Sequence, residues 1–106
     1  MRSDKKEKLE RAGWTVGDSK EFLNLTEAEA ALVDVRVSLA RELRRRRLSK
    51  SLSQAALARR IGSSQSRVAR MEAGHPSVSL DLLIRSLFTA GSTSSQIGRA
   101  IAKART

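Results

Sequence analysis

The sequence predicts an all-α fold of five helices, and three observations carry that prediction. Apolar residues make up 40% of the chain but aromatics only 3%, so the core is built from Ala, Leu, Val and Ile, which suits small, closely packed helices. One proline and no tyrosine leave little of the material that sandwiches and barrels favour. From residue 26 onward, apolar residues recur at three- and four-residue spacing in segments that open on Ser or Thr and close on Gly, and no segment alternates as a strand does. A chain of 106 residues suffices for one domain with one core.

The elements follow in order. Residues 3–12 predict a short charged helix closed by Gly13, with a thin apolar face of Leu9 and Ala12. "GWTVGDSKEFLNL" holds the only tryptophan, Trp14, expected as a packing anchor, and the apolar trio Phe22, Leu23 and Leu25. Residues 1–25 are therefore expected to form an N-terminal extension, partly ordered or partner-binding, and 26–106 the domain proper. Thr26 and Glu29 have the form of a capping box and predict the start of a long helix. Leu32, Val35, Leu39 and Leu43 give it one buried stripe, with Val33, Val37 and Ala40 beside it. So wide a face needs cover from the N-terminal segment or from another chain. The helix ends in Arg44–Arg47, where cations complement the helix dipole. Four successive residues span a full turn, so only one or two are expected to reach a phosphate.

The next stretch, "LSQAALARRIGSSQSRVARMEAG", has the most specific spacing. Ser53 is a good N-cap, Leu57, Ala58 and Ile61 form an inner face, and Gly62 supplies a left-handed turn. Ser64 caps a second helix with Val68, Met71 and Ala69 inward, and Gly74 ends it. Two short helices joined by a three-residue turn form a helix-turn-helix. Gln65, Ser66, Arg67 and Arg70 lie outside, where amide and guanidinium groups reach base edges in a major groove. Such a face taken alone is by default merely solvated, and the flanking pattern tips the reading towards DNA. Ser79 or Ser77 then caps a helix with Leu80, Leu83, Ile84, Leu87 and Phe88 inward, closed by Gly91. Thr93 and Gln96 form a second capping box before Ile97, Ile101 and Ala104. Gly98 inside that helix costs about 1 kcal/mol against Ala.

Charge points the same way. Net charge is +10, yet residues 1–27 carry six basic and six acidic groups while residues 28–106 carry fifteen and five. The whole excess sits in the predicted domain, which will concentrate phosphate polyanions by counterion release. With no cysteine and one histidine, His75, expected in a loop, neither thiolate chemistry nor a metal site is expected. No nucleophile–base pair or phosphate loop suggests an enzyme, and no cofactor is implied. No signal peptide or 18-residue apolar run is present, so the chain is expected to be cytoplasmic, with no membrane partner.

Residues 52–90 resemble the Cro/cI-type, or Xre, helix-turn-helix family: Gln54, Leu57-Ala58, Gly62, Ser64, Glu72 and Gly74 stand in its register, followed by "SVSLDLLIRSLFTAG". The resemblance implies a lambda-repressor-like domain that binds a palindromic double-stranded operator as a homodimer. It implies that Gln54 contacts phosphate and braces the recognition helix, and that Ser64 caps that helix. Gln65 and Ser66 would reach base edges, Arg70 a base or the adjacent phosphate, and Arg67 the backbone. Glu72 would pair with Arg47, withdrawing that arginine from DNA. Ser63 departs from the pattern, since the family often carries an apolar residue there. Residues 13–47 together with 62–91 resemble small HigA-type antitoxins of type II toxin–antitoxin systems, which repress their own promoter and neutralise a RelE/HigB-type toxin. A stand-alone, phage-like repressor without a toxin partner is the alternative.

Overall fold

Helix α1 (Ser19–Ser49) runs straight through the Thr26 that the sequence marks as its start. A capping box begins a helix only if the residues before it leave the helical conformation, and residues 19–25 contain neither Gly nor Pro to make them do so. In the computed structural model, residues 19–104 are described, with side chains from Thr26. The expected helix at 3–12, Trp14, and the packing of Phe22, Leu23 and Leu25 lie outside the described residues.

The chain divides into two compact units between Val33 and Asp34, within α1. In the described part of the first unit, Leu32 and Val33 are 43% and 54% exposed, which corrects their placement in the buried stripes. The i, i+3, i+4 repeat continues along a helix whether or not a partner surface accompanies it. The buried stripe itself runs from half-buried Val35 to Leu39 and Leu43.

The second unit contains the rest of α1 and four short helices: α2 (Gln54–Ile61), α3 (Gln65–Glu72), α4 (Leu80–Thr89) and α5 (Ser94–Lys103). No strand occurs among the described residues, and the architecture is the expected all-α, lambda-repressor-like one. Its core joins Leu39 and Leu43 to Leu57 of α2, Val68 and Met71 of α3, and Leu83 and Leu87 of α4, all essentially inaccessible. The starts of these four short helices are stated in the sequence. Ser53, Ser64, Ser79 and Thr93 each accept a hydrogen bond from a backbone N–H of the first turn, which settles Ser79 over Ser77 as the cap of α4. At Thr93 the reciprocal bond from its own N–H to Gln96 Oε1 completes the capping box.

One inward assignment, that of Phe88, is corrected. Phe88 is 49% exposed and Ile101 37%. From Leu80 through Ile84 to Phe88 each four-residue step drifts by about 40° around the helix, so the third member has left the face that Leu83 and Leu87 bury. Ile101 is likewise rotated away from Ile97 and Ala100, which point inward.

Candidate nucleic-acid interface

The helix-turn-helix is built from local rules. Gly62 adopts φ +75°, its N–H bonds back to Ala58 and Arg59, and Ser63 N–H donates to Ala58 O at 2.8 Å. This left-handed C-cap lets α2 stop and α3 start within three residues. Ser64 stands in extended conformation and its Oγ accepts from Arg67 N–H at 3.2 Å. Gly74, at φ +69°, ends the turn after α3 where Val37 and Ala40 of α1 press against it, an added Cβ falling 3.6 Å from Val37.

Helix α3 presents two unlike faces. Val68 and Met71 are buried, whereas Gln65, Ser66, Arg67 and Arg70 are all exposed. Those four therefore lie together on the open side of one capped helix. Ala69, expected inward, is only half-buried. At 100° per residue it falls between Gln65 and Arg70 on the open arc, where its methyl group suits the apolar part of a base edge. Two apolar neighbours, Val68 and Met71, had drawn it into the inner face on sequence grounds.

A brace fixes the far end of α3. Arg47, the last of the arginine run, is 8% exposed. Its Nε donates to Glu72 Oε2 at 2.6 Å and its Nη2 to Glu72 Oε1 at 2.9 Å, while Nη1 donates to Leu52 O at 2.9 Å. Gln54 Nε2 adds a bond to Glu72 Oε1 at 3.2 Å. Hydrogen bonding to Glu72 raises the Arg47 pKa above its ordinary value, desolvation opposes it, and charge attraction to the same carboxylate adds to the rise. The ends of α1 and α3 and the start of α2 are thus tied by one bidentate, charge-assisted cluster.

The remaining arginines of the run divide by environment. Arg45 and Arg46 both turn back to Glu42, at 2.7 and 3.5 Å, and Arg44 is exposed. Beside α3, Arg67 and Arg70 form one wall of a groove of about 410 Å³ whose other wall is Ser77, Ser79 and Leu82 at the start of α4. Arg36 of α1 donates to Val78 O in the same connection, and Ser77 N–H to His75 Nδ1 at 3.0 Å, holding it in place. This second wall was missed in the sequence, where the Ser-rich turn carries only a capping signal. The groove is bordered by two guanidinium groups, by hydroxyls and by backbone groups, an arrangement that can hold a phosphate.

Among the described residues no helix is long and apolar enough to cross a membrane. No curated protein and no solved structure matches the chain. Residues 43–85, from the end of α1 through most of α4, match the helix-turn-helix family model. Sequence match and geometry coincide: residues 43–85 are similar to the helix-turn-helix family and contain the two short helices and three-residue turn that define that motif.

Proposed function

We propose that the chain reads a palindromic operator as a homodimer, with α3 in the major groove. Gln65 and Ser66 contact base edges, Arg70 a base or the phosphate beside it, and Arg67 the backbone. Gln54, one amide hydrogen already given to Glu72, has the other for a phosphate. The observation that carries this reading is the open, polar arc of a helix capped at one end by Ser64 and braced at the other by Arg47 and Glu72. A merely solvated helix has no use for so buried a brace. Exposed Phe88 and Ile101 on α4 and α5 provide apolar surface for the second copy, since a single recognition helix buries too little surface for useful affinity.

We further propose that the regulator acts as an antitoxin, repressing its own promoter and neutralising a RelE/HigB-type toxin. Its resemblance to HigA-type proteins over most of the chain supports this. A stand-alone repressor makes the same DNA contacts, and co-purification with the product of the adjacent gene separates the two.

The DNA reading is tested by measuring affinity for a duplex from the protein's own upstream region and for a scrambled duplex at two salt concentrations. A preference of about a thousandfold near physiological salt is expected. Gln65→Ala should lower that preference by about 1–3 kcal/mol, whereas Arg67→Ala should weaken both duplexes alike. Equal, salt-labile binding to both duplexes by the unaltered protein would overturn the reading and leave charge as the whole explanation.

A further inference from the structure

On the other side of α1 from the recognition helix, the second unit has a larger groove, about 660 Å³, between α1 and α5. Arg36, Ala40 and Arg47, which touch the α3–α4 region or Glu72, share one face of α1. Arg45 lies nine residues, about two and a half turns, beyond Arg36 and therefore on the opposite face. A duplex lying along α3 is thus kept from this groove by α1 itself.

The groove's charge is arranged in two rows. Arg41 and Arg45 stand one turn apart on α1, Arg99 and Lys103 one turn apart on α5, and Ser38 Oγ donates to Ala100 O to hold the helices together. Glu42 is the sole carboxylate in the lining, and it is occupied by Arg45 and Arg46. Arg41 and Arg99 have no ion-pair partner among the described residues. Ala100 and Ala104 give the groove an apolar floor.

We propose that this groove docks an acidic, amphipathic polypeptide segment of a partner protein. The cations of the lining all belong to α1 or α5, and the N–H of Gln96 in the first turn of α5 is already given to Thr93 Oγ1, so the donors are side-chain cations spread along two helices rather than backbone N–H groups converging on a point. That spacing suits several separate carboxylates along a chain better than one compact phosphate, which favours converging amides and helix N-termini. An alanine floor between cationic rows matches a segment with small apolar side chains between its acids. Such a segment can bind while α3 holds DNA. A regulator built this way joins an acidic protein to its operator without competition between the two.

The test uses the full chain and a fluorescein-labelled synthetic helical peptide bearing Glu at i and i+4 with Ala and Leu between, followed by anisotropy at low salt and by amide NMR shifts. Saturable binding is expected, with shifts confined to residues 38–45 and 96–104. Arg41→Gln/Arg99→Gln should weaken it about tenfold, the loss of two exposed ion pairs. Arg59→Gln/Arg85→Gln, an equal charge change elsewhere, should weaken it less than about twofold. Equal loss in both double variants would overturn the proposal by reducing it to overall charge. Groove shifts produced by tripolyphosphate or duplex DNA but not by the peptide would overturn it in favour of a phosphate site. Shifts in wild-type protein keep the test decisive should either variant fail to fold.

Discussion

Replacing Glu72 by Ala removes the centre of the brace and leaves its cation in place. Three bonds disappear, two from Arg47 and one from Gln54, and the guanidinium keeps only Leu52 O. The two side chains are 10% and 5% exposed, so water restores little. Breaking a buried pair by removing one partner costs about 3–5 kcal/mol. Residual exposure of Arg47 places this case near 3 kcal/mol. With a urea dependence of about 1.5 kcal/mol per molar for a domain of this size, the unfolding midpoint should fall by about 2 M. Arg47→Met/Glu72→Leu, which removes both charges, should return to within about 1 kcal/mol of wild type, because no unpaired ion remains. Urea melts followed by circular dichroism measure all three proteins. A midpoint shift below about 0.5 M for Glu72→Ala would refute the assignment of the brace, as would a double variant no more stable than the single one. The raised Arg47 pKa makes this stabilisation present at every pH below the guanidinium's unfolded-state titration and lost only as pH rises through the folded value. Across the usual working range the effect of Glu72→Ala attributable to Arg47 should therefore not vary with Arg47 protonation.

Three further substitutions probe single local costs by the same melts. Gly98→Ala, in the interior of α5 where an added Cβ meets nothing within 4 Å, should stabilise by up to about 1 kcal/mol through helix propensity; a loss would show that α5 is not helical there. Ser51→Gly relieves the one positive-φ non-glycine among the described residues, φ 55°, and should gain about 0.5–1 kcal/mol despite glycine's greater unfolded entropy; unchanged stability would mean the left-handed turn carries no strain. Ser63→Ala removes a hydroxyl that is buried without a hydrogen-bond partner and should gain about 1 kcal/mol; destabilisation would show that the hydroxyl is satisfied.

That last residue shows how the sequence reading works and where it stops. Ser63 stood out as a departure at a usually apolar position, and the orphaned hydroxyl is the physical form of that departure. Local chemistry was legible throughout the second unit: Ser53, Ser64 and Thr93 cap because a side-chain oxygen meets nearby N–H groups, and Gly62 turns because it lacks a Cβ, whatever the rest of the chain does. The polar arc of α3 was legible for the same reason, a periodicity along one helix. Ala69 and Phe88 were not placed correctly, because periodicity ranks faces without saying how wide the covered one is. The false start at Thr26 has the same origin, since a capping pattern permits a helix end but only the conformation of residues 19–25 decides it.

Sequence by itself determined an all-α helix-turn-helix with the caps and stops of its short helices and the polar face of α3, because each rests on interactions between residues a few positions apart. Tertiary structure alone decided that Arg45 and Arg46 serve Glu42, that the Ser77–Ser79 turn stands beside Arg67 and Arg70, and that α1 and α5 enclose a basic groove. Those facts depend on how helices are rotated about their axes and laid together. That rotation is set by the summed burial of Leu39, Leu43, Leu57, Met71 and Leu87, a collective quantity that no short stretch of sequence contains.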